Sequence, residues 1–239
     1  MSVKYKRILL KLSGEALAGS KGFGIDSTIA NQIADDIADI HGDGVQIGIV
    51  IGGGNMIRGA SAQGVSRVAG DTMGMLATVI NSIALRECLE SKNVPAKVLN
   101  AVRLDRAGEY YTPELALEYL NKGIVVILAG GTGNPFFTTD TAAALRCAEI
   151  NAEILLKATK VDGIYDSDPM KNPAAVRFES ISHADALTKG LKVMDATAFS
   201  FCQENSIEII VFKLLEKGNL RHCVEGKSIG SIVKTGGKS

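Results

Sequence analysis

Aromatic residues make up only 5% of this 239-residue chain, and tryptophan is absent. Net charge is absent too, because 26 basic residues balance 26 acidic ones. A protein that grips nucleic acid needs a broad basic field or an aromatic–basic face, so that class is excluded. Cationic chemistry, if any, must be local. Cysteine is scarce and scattered (Cys88, Cys147, Cys202, Cys223), with no C-x-x-C pair and no histidine at metal-site spacing. These read as reduced thiols rather than disulfides or zinc ligands. Long apolar runs are also lacking. The basic N-terminus offers only Ile8-Leu9-Leu10 before Lys11, too short for a signal peptide's apolar region of about 7–15 residues. No run approaches the about 18 apolar residues of a membrane span. The expectation is a soluble cytoplasmic protein with no nucleic-acid or membrane partner.

Two standard nucleotide motifs are missing as well. No glycine precedes Lys-Ser or Lys-Thr at the G-x-x-x-x-G-K-[ST] spacing. A G-x-G-x-x-G begun at Gly52 needs glycine where Ile57 stands, and one begun at Gly54 fails at Met56.

What is present is a recurring grammar. Apolar runs of strand length occur at 7–12, 45–51, 96–100, 124–129, 153–157, 208–212 and 231–234. Several are continuous rather than alternating, the pattern of strands covered on both faces. Helical periods lie between them. Ile29, Ile33, Ile37 and Ile40 follow Asp26 or Ser27 as N-cap, and Met75, Leu76, Val79, Ile80 and Ile83 repeat the pattern. In "YYTPELALEYLNKG", Thr112 caps, Pro113 takes the first helical position and Gly123 is the stop. Alternating strands and helices predict an α/β protein with a mostly parallel sheet and helices on both faces. About 200–250 residues is ordinary for one such domain.

In these sheets ligands bind beyond the carboxyl ends of the strands. Lys11, the Gly52–Gly54 run with Arg58, and the glycines Gly130, Gly131 and Gly133 all stand at such ends. Successive glycines leave backbone N–H groups free to cradle phosphate oxygens, while Lys11 supplies a point charge and Arg58 a planar fork. In "GGTGNPFFTTDTAAALR", Thr132, Asn134, Thr138 and Thr139 offer small polar groups, and Phe136-Phe137 can flank a flat ring. Thr139 or Asp140 would cap the helix that follows. Asp140 is then either a plain cap or an acceptor that orients lysines or a metal. Asp162, Asp166 and Asp168 are either cation ligands or a polar turn.

"KLSGEAL", "GIVIGGGNMIRG", "GDTMGMLATVIN", "GTGNPFFTTDTAA", "KATKVDGIYDSDP" and "LKVMDATAF", in this order, resemble the bacterial UMP kinases (uridylate kinases) of the amino-acid kinase superfamily. The likeness runs from Tyr5 to Val233. It implies a three-layer α/β/α sandwich, a homohexamer, and transfer of the γ-phosphoryl group of ATP to UMP with Mg²⁺, with GTP as activator and UTP as inhibitor. It implies one domain, 1–239, with a UMP-binding and phosphate lobe at about 1–150 and an ATP-nucleoside lobe at 151–239.

Residue by residue, the resemblance sets Lys11, Leu12, Ser13 and Gly14 against the ATP phosphates, with Lys11 bridging β and γ. Gly53, Gly54 and Arg58 fall where donor and acceptor phosphates meet. Asp71 would take the UMP ribose hydroxyls. Thr132, Gly133, Asn134, Pro135, Phe136, Phe137, Thr138 and Thr139 would wrap the UMP phosphate and uracil. Asp140 and Asp195 would organise the reacting groups, while Thr159, Tyr165 and Asp168 would lie along the ATP nucleoside. Gly19, Ser20, Lys21, Gly22, Phe23 and Gly24 match the GTP-effector segment. No protein ligand to a metal is assigned. Thr72, where the family carries a larger side chain, and a short "ASAQGVSR" stretch are local departures that bear on regulation.

Overall fold

The structure is a computed structural model that describes residues 3–57, 64–191 and 193–235. Arg58 therefore lies outside the described residues. Eleven strands are described: β1 (Arg7–Leu12), β2 (Gln46–Ile51), β3 (Ala96–Asn100), β4 (Glu109–Tyr110), β5 (Val125–Ala129), β6 (Ile154–Thr159), β7 (Ile164–Tyr165), β8 (Arg177–Phe178), β9 (Ser180–Ser182), β10 (Ile209–Lys213) and β11 (Ser231–Lys234). The α-helices are α1 (Gly14–Leu17), α2 (Ser27–His41), α3 (Arg67–Glu90), α4 (Pro113–Asn121), α5 (Thr139–Glu149), α6 (His183–Thr188), α7 (Ala196–Glu204) and α8 (Asn219–Val224). Nine strands form one sheet in the order β4-β3-β5-β2-β1-β6-β10-β11-β9, and β7 and β8 make a separate antiparallel hairpin. The pairs from β4 through β10 are parallel; β11 is antiparallel to β10 and parallel to β9.

The run "ILLK" explains the central strand. Successive strand side chains face opposite ways. Ile8, Leu10 and Leu12 enter the core under α2, α3 and α8, whereas Leu9 enters the core under α4, α5, α6 and α7. Both layers are dry, so an apolar residue is needed at every position until Lys11. That residue falls on the Leu9 face, at the end of the strand. This is the expected three-layer sandwich.

The caps follow local chemistry. The Asp26 carboxylate accepts the Thr28 and Ile29 N–H groups at the start of α2, and Thr112 caps α4. At α5 the reading is corrected: Thr138, not Thr139 or Asp140, is the cap. Its backbone is still extended (ψ 171°), and its hydroxyl accepts from the N–H groups of Asp140 and Thr141. Asp140 therefore sits inside the first turn with its carboxylate free for other partners. The segment 165–178, read as loop, is framed by the β7–β8 hairpin.

By length and composition α3 would pass for a membrane span. Its inner side carries buried Leu85 and Leu89 in the sheet-facing core, so here it is a core helix.

The loops after β1 and β2 touch. The Gly52 N–H donates to Leu12 O at 2.9 Å. A Cβ at Gly14 would stand 2.3 Å from the Gly52 carbonyl oxygen, which is backbone and cannot rotate away. Gly14→Ala should therefore cost about 1–3 kcal/mol, the usual range for forced overpacking. An unaltered midpoint in urea unfolding would show that the two loops separate freely.

Candidate active site

Three features converge beyond the carboxyl ends of β1, β2, β5 and β6. The first is a charged triad. In the parallel register of β1 and β6, Lys11 lies beside Lys157. Both side chains point to the α5 side, and both residues are only 8% exposed. Asp140, from the first turn of α5, bridges them. Lys11 Nζ lies 2.7 Å from one carboxylate oxygen and Lys157 Nζ lies 2.6 Å from the other. Lys157 also donates to the Val193 carbonyl.

Two like charges at this depth are unfavourable, and one carboxylate between them offsets their repulsion. Burial would raise the Asp140 carboxyl, but the two ammonium groups outweigh it and hold it below its ordinary value. Burial pushes the Lys157 ammonium down to about 8, against the pull of Asp140.

Lys157 was not singled out from sequence, yet a signal existed. "ILLK" occurs twice, at 8–11 and 154–157, and the two copies are register partners residue for residue.

The second feature is a cavity of about 220 Å³ between the glycine loops and α3. Gly53, Gly54, Asp71, Thr132, Asn134 and Thr139 are among its lining, together with Phe137 and Thr138. The Asp71 carboxylate accepts from the Phe136 N–H at 2.7 Å and from Arg67 Nε at 2.8 Å. Those two donors hold its carboxyl below the ordinary value. Gly130, Gly131 and Gly133 all adopt positive φ, and so does Phe136 at 73°, a left-handed conformation that is uncommon for a bulky residue. The loop is braced from beneath by buried Arg146. Its guanidinium reaches Gly131 O at 3.3 Å, pairs with Glu149 at 2.5 Å and stacks 3.9 Å above the Tyr111 ring. Thr132 bonds to the Asn134 backbone, Phe136 and Phe137 are exposed, and Pro135 lies between Asn134 and Phe136.

The third feature is a pair of adjoining clefts beyond β6. One, of about 320 Å³, holds Lys11, Ser13, Lys157 and Thr159; the other, of about 510 Å³, holds Tyr165 and Asp168. Val161, Gly163 and Val193 line both, so they form one trough. Tyr165 is steadied by its hydroxyl donating to Asp162 at 2.7 Å, and Asp168 accepts from the Met170 N–H at 3.0 Å. Leu12 is fully buried and belongs to the core beneath the trough. A larger cleft of about 700 Å³ opens at the opposite end of the strands, beside Lys6 and Arg7. The Arg7 guanidinium there is already engaged by Gln46, Ile150 and Asn121.

Asp195 stands at the start of α7. It N-caps α7 by accepting from the Ala198 N–H at 2.9 Å, and it also accepts the hydroxyls of Thr138 and Thr141. Its carboxylate thus ties the start of α5 to the start of α7. It steadies the turn that presents Asp140. The segment from Gly19 to Gly24 opens with a 3-10 turn (Gly19–Lys21), has its glycines at positive φ and leaves Phe23 largely exposed. Its last residue is bound to Asn55, by Asn55 Nδ2 to Gly24 O at 2.7 Å and by Gly24 N–H to Asn55 O at 3.0 Å.

Two lysines, a bridging carboxylate and glycine N–H groups at one end of an open parallel sheet define a class. It is that of phosphate-handling α/β enzymes that work without a P-loop. The sequence pattern of the amino acid kinase family matches residues 6–213. Uridylate kinase of Parabacteroides distasonis is 54% identical over 232 residues, 96% of this chain and 98% of that one. The crystal structure of UMP kinase from Bacillus anthracis superposes with a TM-score of 0.94 at 36% identity, covering 98% of this chain and 97% of that one. UMP kinase from Ureaplasma parvum gives 0.91 at 39% identity, covering 97% and 100%. The chain belongs to the amino acid kinase family.

The triad predicts pH-dependent anion binding. Above about pH 8 the free protein loses the Lys157 proton, and one of the two charges facing a polyphosphate disappears. Calorimetric titration with inorganic triphosphate should lose about tenfold in affinity between neutral pH and pH about 9.5. Lys157→Arg, which stays charged, should abolish that loss, and a flat profile in the unaltered chain would remove Lys157 from the anion site. Stability has the opposite sign. The unfolded chain keeps this proton up to the ordinary 10.5, so this group's contribution to folding improves as pH rises from about 8 toward 10.5.

Proposed function

We propose that this chain transfers the γ-phosphoryl group of ATP to UMP, giving ADP and UDP. The observation that carries the reading is the Lys11–Asp140–Lys157 triad, standing between the nucleotide-sized trough and the smaller cavity under Asp71. Curated relatives named uridylate kinase, at 54% and 53% identity over 96% of the chain, support the choice of reaction.

In this reading ATP lies along the trough, its nucleoside by Thr159, Tyr165 and Asp168, its phosphates over Lys11, Ser13 and Gly14. UMP occupies the cavity, its ribose at Asp71 and its base and phosphate within Thr132–Thr139. The lobe up to about residue 150 then serves UMP and the phosphates, and residues 151–239 serve the ATP nucleoside. A UMP phosphate oxygen attacks the γ-phosphorus in line. The new P–O bond forms as the bond to the β–γ bridging oxygen breaks, and the electron pair leaves with ADP. No protein nucleophile is needed, so catalysis is positioning and charge neutralisation.

Lys11 and Lys157 neutralise the oxygens of the transferring group, and Asp140 keeps the two ammonium groups apart and aimed. Phosphates entering the site favour protonated Lys157, so the alkaline limb near 8 belongs to kcat/KM and shifts upward in kcat. Mg²⁺ comes with ATP as part of the substrate. The Asp140 oxygens lie 2.6–2.7 Å from the two lysine ammonium groups, and those of Asp195 accept threonine hydroxyls and an N–H, so neither carboxylate is assigned to a resident metal.

Assembly and control extend the reading. Val68, Met73, Leu76 and Ile80 form an exposed apolar stripe along α3, which suits burial against another copy. The family's homohexamer is the assembly we expect. GTP as activator at Gly19–Gly24 and UTP as inhibitor follow the same resemblance, and the enzyme would act in the cytoplasm, where ATP and UMP are held.

A coupled assay of ADP release with ATP, Mg²⁺ and UMP, CMP or carbamate tests the reaction, with and without GTP. Turnover should appear with UMP and be at least about tenfold weaker with CMP; comparable use of CMP or carbamate would overturn the substrate. Asp71→Ala should raise the KM for UMP about tenfold or more while the KM for ATP holds within about threefold. An equal rise in both would take Asp71 out of the ribose role. Lys11→Ala should lower kcat by about 10²–10³ with the fold intact, and an unaltered kcat would remove Lys11 from the transition state.

A further inference from the structure

Beneath the glycine loop, away from the trough, two asparagines form a closed amide pair. Asn81, from the middle of α3, is fully buried, and Asn55 is 2% exposed. Asn55 Nδ2 donates to Asn81 Oδ1 at 2.9 Å, and Asn81 Nδ2 donates back to Asn55 Oδ1 at 2.7 Å. Each amide has one N–H left. That of Asn81 reaches the Gly52 carbonyl at 2.8 Å, and that of Asn55 reaches the Gly24 carbonyl at 2.7 Å. All four amide N–H groups are used, so neither side chain can turn without leaving buried donors unpaired, which is strongly disfavoured.

The consequence lies in the peptide that follows. A trans peptide is planar, and its carbonyl and N–H point opposite ways. Holding Gly52 C=O against Asn81 therefore fixes the direction of the Gly53 N–H. The next peptide is fixed independently, because Gly53 O accepts from the N–H groups of Met56 and Ile57 at 3.0 and 3.2 Å. Gly53 and Gly54 line the cavity beside the triad. Among the described residues, neither of their N–H groups has a protein acceptor. Gly53 cannot shift toward α3 to compensate, since a Cβ there would stand 2.7 Å from Gly74 O and 2.8 Å from Ala77 Cβ.

The geometry points to Asn81, braced by Asn55, as a positioning residue that aims the Gly53 N–H at the transferring phosphoryl group. This deepens the UMP kinase reading and rests on it. Asn81 touches no substrate; it acts through the Gly52–Gly53 peptide. Its contribution appears where charge develops on the phosphoryl oxygens, more than in ground-state binding of either nucleotide.

The test is a set of three variants of the full chain, Asn81→Ala, Asn55→Ala and the double. Asn81→Ala should lower kcat by about ten- to a hundredfold, and the KM for UMP should stay within about threefold. Asn55→Ala, which leaves the Gly52 bond but removes its brace, should fall less, by about threefold to tenfold. Because the two act as a unit, the double variant should be no slower than Asn81→Ala.

Calorimetry with ADP, Mg²⁺, fluoroaluminate and UMP, a mimic of the transferring state, counts folded sites through its stoichiometry. Its affinity should fall in step with kcat, while that for UMP alone holds. The proposal is overturned if kcat per folded site is unaltered, if UMP and the mimic weaken equally, or if the two single losses multiply in the double. Should Asn81→Ala fail to fold, Asn55→Ala carries the same comparison of mimic with UMP. An unaltered chain that does not turn over UMP would instead overturn the assigned reaction. The crystal structures of the variants would then decide the pinning, with a turned Gly52–Gly53 peptide expected and an unmoved one against it.

Discussion

Two buried ammonium groups on neighbouring strands cannot share a site without an anion between them, and this constraint organises the molecule. The β1–β6 register sets Lys11 and Lys157 side by side. Helix α5 has to begin where its first turn can deliver Asp140 between them. Thr138 fixes that start as the cap, and Asp195 holds Thr138 and Thr141 from the neighbouring helix. A chain with no net charge can still present concentrated positive potential, provided a single carboxylate stands in until a phosphate arrives. In the proposed reaction Asp140 serves the empty protein and the loaded one differently. It neutralises in the first case and spaces the lysines in the second.

The glycine loops follow the same logic at smaller scale. Phosphate oxygens need N–H groups that the protein leaves unpaired, and such groups hold direction only if the carbonyls beside them are tied down. The Gly52 and Gly53 carbonyls are both tied, one to a side chain and one to a turn. Gly14 rests close on the first of these, so the loops after β1 and β2 behave as one surface rather than two.

Much of this was legible before any coordinates. Strand boundaries at β1, β3 and β11 match the runs read from sequence residue for residue; at β1 the reason is cover on both faces, which demands a nearly continuous apolar run. Local caps at Asp26 and Thr112 were equally readable. What could not be read was pairing across distance. Nothing local in "LLKATK" says that its first lysine will meet Lys11. That requires knowing that β6 lies beside β1 and in which register, although the repeated "ILLK" was a clue. The cap at α5 slipped to Thr138 because three consecutive residues, Thr138, Thr139 and Asp140, all have cap chemistry, and tertiary bonds to Asp195 decide among them. The resemblance sets Asp195 among the carboxylates that organise the reacting groups, and no local feature announces its partners, a helix end and two hydroxyls. The phosphate fork at Arg58 lies outside the described residues.

Helix α3 is held unequally along its length. Its C-terminal half carries Leu85 and Leu89, inaccessible to solvent, while Arg67, Val68 and Ala69 at its start are exposed. At 24 residues it is about 36 Å long, a rod embedded in the core at one end and tied at the other to the loop after β5 by the Asp71 bond to the Phe136 N–H. Asp71 makes that tie, and the apolar stripe of Met73, Leu76 and Ile80 lies between it and the embedded half. In mechanical terms this is a beam supported at both ends, so a load on the stripe is passed along the rod to the Asp71–Phe136 bond at the edge of the cavity.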